Sequence, residues 1–228
     1  MSLKRSLPLT NAAVIAIAFL MYALLVSPEP VMKLARSASA PVYRLPDDGR
    51  VSLVCLIEWD SGAVGEIISA ADASGTRLTF AMTGEWAVRN AEIVRRMTER
   101  GHGLALLIEE NEADADDIRG RAEAVRSVSG VAPPIAVCTA KNAERLKKSC
   151  AEAGLTPFVM TATLGADPEG GEAIDSLLAF LHTGGWTLGF LPTGDSVKIL
   201  PELIEKIKNM GYGIVPAHKM LYNYSDKI

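Results

Sequence analysis

Four carboxylates stand just beyond two apolar runs of the chain. Glu58 and Asp60 follow Val51–Ile57, and Glu109 and Glu110 close Gly103–Ile108. Hard oxygen ligands of this kind could hold a Ca²⁺ or Mg²⁺ ion. Two such groups could instead divide into an acid and a base across a glycosidic bond. Trp59 lies between the first two acids, and its flat face would suit the apolar face of a sugar ring. Against both readings, acids in loops are ordinarily just solvated. The three histidines are scattered. His102 is expected to be packed, His182 sits at the C-terminal end of a helical stretch where a cation is favoured, and His218 in the tail has no assigned role. Cys55, Cys138 and Cys150 lack the paired short spacings of a zinc site, so they read as small buried hydrophobes.

These residues need a scaffold, and the hydrophobic pattern describes one. Val51–Ile57, Thr76–Met82, Gly103–Ile108, Pro134–Cys138, Pro157–Ala162, Trp186–Leu191 and Tyr212–Val215 are short apolar runs of β-forming composition. Between them, helical spacing covers Ala63–Ala73, Val88–Arg100, Ala113–Ser129, Asn142–Ala153, Gly171–His182 and Lys198–Met210. Several of these stop at a glycine, as helices commonly do. The stretch 113–129 carries its acids early and its arginines late, which complements the helix dipole. Seven strands alternating with helices predict a parallel sheet, either open and doubly wound or rolled into a barrel. The net charge of −4, with lysines and arginines dispersed, excludes a basic face for nucleic acid.

Upstream of this pattern, Lys4 and Arg5 precede an unbroken apolar run from Ala12 to Val26. At about 15 residues the run lies between a signal-peptide core and a full membrane span. Small residues at Ser37–Ala40 lie far beyond it, so an uncleaved anchor over residues 1–27 is expected. The domain beyond it would then stand outside the cytoplasmic membrane, although Lys33 and Arg36 weaken the charge asymmetry that would orient it. Residues 28–49 hold four prolines and Asp47-Asp48-Gly49, a composition that predicts a linker. Residues 50–228 form the domain.

Three segments of that domain resemble the NodB-type polysaccharide deacetylases, the carbohydrate esterases of family 4. Leu78-Thr79-Phe80-Ala81-Met82-Thr83-Gly84-Glu85-Trp86-Ala87 is similar to a family strand and turn. Ile93–Met97 followed by Gly101-His102-Gly103 resembles the next helix and strand, and Leu200–Ile204 with Lys208–Tyr212 resembles the last helix. They occur in family order. The resemblance implies a distorted (β/α)7 barrel with its site at the C-terminal ends of the strands, His102 and Trp86 serving the scaffold. It also implies chemistry that this chain lacks. The family's catalytic base and metal-binding Asp fall on Leu56 and Ile57, and its two metal-binding histidines fall on Leu107 and Asn111. The arginine that orients the base falls on Val137, and the catalytic His falls near Leu191. Aliphatic groups neither take up protons nor bind cations. The expectation is a domain with no metal, no cofactor and no family activity.

Three functions remain open at this level. The first is a non-catalytic domain binding a cell-wall glycan or a protein partner through the former cleft. The second is an active hydrolase using the substitute acids, and the third is a structural spacer on its anchor. The alignment further places Cys55 and Cys138 at two strand ends near the former site, where a disulfide between them is conceivable, with Cys150 free.

Overall fold

The computed structural model describes residues 41–42, 48–59, 62–109, 113–164, 170–179, 181 and 186–225. The expected anchor and most of the expected linker lie outside the described residues. Among those described, no helix is long and apolar enough to cross a membrane.

All paired strands run parallel. They are β1 (Arg50–Ile57), β2 (Thr79–Met82), β3 (Gly103–Leu107), β4 (Ile135–Cys138), β5 (Thr156–Val159), β6 (Ala162–Thr163), β7 (Trp186–Phe190) and β8 (Gly213–Ile214). Their order is β5-β4-β3-β2-β1-β7-β6, with β8 pairing the start of β1. The two ends of this path, β5 and β6, are consecutive in the chain and separated only by Met160 and Thr161. The sheet is therefore rolled, and residues 156–163 act as one bent stave. This stave bonds β4 at its lower half and β7 at its upper half, where Thr161 N–H donates to Thr187 O at 3.0 Å and Leu164 N–H to Gly189 O at 2.8 Å. The free lower edge of β5 is taken by Val42, which exchanges bonds of 2.9 and 3.0 Å with Pro157 O and Val159 N–H. Pro157 has no N–H to give, and it sits where that edge is bonded by a single residue instead of a full strand. Among the described residues, the domain's hydrogen bonding thus includes Val42, upstream of Arg50.

The helices are α1 (Val64–Ala73), α2 (Gly84–Arg89), α3 (Ala91–Glu99), α4 (Ala115–Ser129), α5 (Ala140–Ala153), α6 (Gly170–Ala179), α7 (Gly194–Asn209) and α8 (Ala217–Ser225). The single helix expected over Val88–Arg100 is two helices. Thr83 caps α2 by accepting from Trp86 N–H at 3.2 Å, so the helix starts before the apolar spacing becomes visible. Asn90 leaves helical geometry at φ −119°, ψ 37° and its side chain donates to Trp86 O at 2.9 Å, which breaks the run. The last long helix likewise begins a turn earlier than expected, because Thr193 accepts from Ser196 N–H at 3.1 Å.

Alternation along the strands divides the core in two. Val51, Leu53, Cys55, Ile57, Phe80, Met82, Leu104, Leu106, Ala136, Cys138, Leu188 and Phe190 point outward and are covered by helices. Val54, Ala81, Ala105, Leu107, Ile135, Val137 and Phe158 point into the roll. Ala217 and Met220 of α8 join this inner cluster. Ala217 N–H donates to Thr79 Oγ1 at 2.8 Å, so α8 is the floor of the roll, at the N-terminal ends of the strands. The opposite end, where the strands run out, is its mouth.

Candidate functional site

Parity decides which of the expected site positions reach the mouth. Leu56 is part-buried and packs with the inner cluster, and Leu107 and Val137 belong to it at 7% and 2% exposure. Ile57 points the other way. It is fully buried against the helices, so adjacent residues of β1 serve opposite faces and only Leu56 looks into the roll. Leu191 follows β7 and is half-buried. Asn111, Asp60 and Glu110 lie outside the described residues. The mouth is tight around Gly189 of β7. The place a Cβ would occupy there lies 3.1 Å from Thr163 Oγ1, 3.4 Å from Leu56 Cδ1 and 3.4 Å from Met160 Cε. Leu56 and Met160 therefore meet over a residue that has no side chain of its own. Neither Met160 nor Gly189 was singled out by sequence reasoning. A glycine inside an apolar strand was the available signal, since it often marks close approach of a neighbour.

Of the expected acids, Glu58 is exposed and Glu109 is half-buried. They end β1 and β3, which flank β2, so their backbones stand about 10 Å apart at ordinary strand spacing. Among the described residues, no group of three or more His, Cys, Asp or Glu side chains is placed to hold a metal ion. Trp59 is 80% exposed beside Glu58, whereas Trp86 is 2% exposed in the outer core.

The thiols are settled by topology. All three cysteines are buried and free. Cys55 and Cys138 sit on β1 and β4 with β2 and β3 between them, a separation of about 14 Å. That is beyond the reach of a disulfide, about 7 Å between Cα atoms. The expected approach of these two residues is therefore corrected. Both face the helices, on the outside of a curved sheet, where side chains diverge. Burial pushes the Cys55 thiol well up, Cys138 up to about 11 and Cys150 up to about 12.

His102 has the packed role expected of it. Its side chain is fully buried, its Nδ1 accepts from Leu78 N–H at 3.1 Å, and its ring meets Phe80 edge-on at 5.2 Å between centroids. His182 lies outside the described residues.

No family model matches the sequence, and no curated protein matches it. Solved structures do match in fold. A CE4 family pseudoenzyme from Bacillus anthracis superposes with a TM-score of 0.72 at 16% identity, over 81% of this chain and 69% of that one. A mutant described as that CE4 family pseudoenzyme with restored enzymatic activity matches equally, over 72% of its length. The family 4 carbohydrate esterase PdaA of Bacillus subtilis superposes with a TM-score of 0.67 at 15% identity, over 86% of this chain and 89% of that one. The parallel-strand half-barrel described above is the fold of the family 4 carbohydrate esterases.

Proposed function

We propose that this chain is a degenerate NodB-type deacetylase, a distorted (β/α)7 barrel that does no family chemistry and binds cell-wall glycan at its mouth. The observation that carries this reading is the identity of the inner-face residues at the family's catalytic positions. Leu56, Leu107 and Val137 pack into one apolar cluster, where the family would place a base, a metal ligand and an orienting cation. Metal-dependent deacetylation needs a cation to polarise the acetyl carbonyl and to lower the pKa of a water. Losing even one outer-shell partner costs a metal site about 10–100-fold in affinity. With Ile57, Leu107 and Asn111 where the family has its three metal ligands, at most one weak amide oxygen would remain to hold a cation.

Binding rests on Trp59. An indole left 80% exposed beside the mouth is a costly surface for a protein to keep bare, and a sugar face would cover it. The domain would be held at the outer face of the membrane by residues 1–27, with residues 28–49 as the tether, of which Val42 is docked on β5.

The test has two arms. The purified full-length chain should carry no stoichiometric Zn²⁺, Co²⁺ or Ni²⁺ and release no acetate from acetylated chitin oligomers or peptidoglycan, beside an intact family enzyme as control. It should also sediment with insoluble peptidoglycan, and Trp59→Ala should lose that binding while unfolding at the same temperature. Metal-dependent acetate release abolished by Glu109→Gln would instead establish the substitute-acid hydrolase. A chain that neither releases acetate nor binds peptidoglycan would have the spacer role, for which the packing of Leu56 and Met160 over Gly189 is the supporting observation, or a protein partner at the same mouth.

A further inference from the structure

The floor of the roll holds two histidines that the mouth does not use. His102 is gripped from the helix side. Because its Nδ1 accepts the Leu78 N–H, the neutral ring must carry its hydrogen on Nε2. That Nε2 is buried without a hydrogen-bond partner. Asp72 Oδ1 is 3.7 Å away, and Asp72 is itself held by Arg77 at 3.0 Å and Arg100 at 3.1 Å. His218 approaches the same place from inside the roll, on α8. Its Nδ1 is buried without a partner and lies 3.0 Å from where a Cβ on Gly103 would sit, alongside Pro216 Cβ at 2.9 Å and Thr79 Oγ1 at 3.1 Å.

The two approaches converge on one rung of the sheet. Gly103 N–H donates to Leu78 O at 2.8 Å. Leu78 and His102 are engaged on the outer side, while the next residues, Thr79 and Gly103, are engaged on the inner side by Ala217 and His218. We propose that His102 and His218 form an acid-release latch, in which both rings must stay neutral for α8 to remain seated in the floor.

The physical reason is donor and acceptor matching. A proton added to His102 goes on Nδ1 and sets an N–H against the Leu78 N–H, so the first step of β2 must open. The charges facing this ring are one acid, Asp72, and two cations, Arg77 and Arg100. A protonated His218 carries an N–H on both ring nitrogens, and one of them is the buried Nδ1 that has no hydrogen-bond partner. The charges around it are Lys219 on its own helix and Arg50 of β1, which donates to Lys219 O at 3.4 Å and is paired with Asp48. Burial, first of all, holds both rings below the ordinary imidazole range, His102 down to about 4. A released ring protonates near the ordinary value of about 6.5. Acid therefore favours the released state, and the window runs from about 6.5 downward. Release would uncover Val54, Ala81 and Ala105, which α8 now closes from below.

Hydrogen exchange of the full-length chain, read by mass spectrometry and corrected for intrinsic rates, tests the latch. Between about pH 6.5 and pH 4.5 the α8 amides should exchange up to about tenfold faster per pH unit for each proton taken up, while α4 amides hold their rates. His218→Phe and His102→Gln should each flatten that slope. Nitrogen NMR of the unsubstituted protein reads the rings directly, whether or not either variant folds. It should show His102 as the Nε2–H tautomer and both rings neutral at about pH 6. An α8 exchange rate indifferent to pH, slopes unchanged in both variants, or either ring titrating at or above about 6.5 would overturn the proposal.

Discussion

At the residue scale, burial governs what the ionisable groups can do. His102 is held down to about 4, chiefly by desolvation, with Asp72 opposing and Arg77 and Arg100 assisting. The folded-state pKa is depressed, so the unfolded chain binds the proton first. Stability is then fully present above about pH 6.5 and is lost as pH falls toward 4, by up to about 3 kcal/mol. Urea unfolding at neutral and mildly acid pH should show that loss, and His102→Gln should reduce it. The cysteines follow the same rule with the opposite sign. Burial raises all three thiols, and thiolates are the reactive form. An aromatic disulfide reagent should find no thiol in the native protein and three after denaturation. A single fast-reacting thiol would contradict the packing described. These environments were only partly legible in the sequence. Their apolar neighbours come from distant strands, and the alignment set Cys55 and Cys138 at strand ends near one site while two strands separate them in space.

At the element scale, close backbone approaches matter more than propensity. α2 packs so tightly on α4 that a Cβ at Gly84 would stand 2.8 Å from Arg121 O and 3.0 Å from Arg121 Cα. Backbone cannot swing aside as a side-chain end can, so Gly84→Ala should cost about 1–3 kcal/mol. Gly120→Ala on the facing helix meets nothing within 4 Å and should leave the thermal midpoint unchanged or slightly raised. Comparing the two variants in one melting experiment separates close approach from general glycine effects. The sequence reading placed a helix here but missed α2, because six residues show too little periodicity and the start rests on a side-chain cap. Thr83 is a candidate cap by residue type, and its extended backbone and the bond from Trp86 N–H make it one.

At the scale of the whole molecule, the inner cluster ties the mouth to the floor. Leu107 is buried in the inner cluster and pairs with Val137 of β4, so Leu107→Ala should destabilise the fold by about 2–5 kcal/mol. An active-site residue would lower activity first; this one should lower the unfolding temperature and alter no catalytic rate. Leu107→His should be worse than neutral as well, because a single imidazole placed among Val137, Ile135 and Phe158 has no partner to satisfy it. A Leu107→His variant that melted like the parent and bound Zn²⁺ would show that the mouth still carries the remaining ligands.

The order of apolar runs and helical stretches was enough to determine a parallel α/β architecture, and the resemblance of Leu78–Ala87 and Gly101–Gly103 to family segments pointed to the family 4 esterase fold. Local patterns suffice there because strand and helix periods are written in consecutive residues. The residue types at Leu56, Ile57, Leu107 and Val137, which the resemblance sets at the family's catalytic positions, were equally readable, since the absence of a titratable atom needs no coordinates. Which of Leu56 and Ile57 faces the mouth was decided by the register of β1 against β2 and β7, because both neighbours are apolar and a strand buried on two sides has no polar alternation to reveal its inner face. The rolling of the sheet through residues 156–163, the docking of Val42 on β5, and the approach of His102 and His218 to one rung from opposite faces likewise belong to tertiary structure alone. Each joins residues far apart in sequence whose own neighbourhoods carry no trace of the contact.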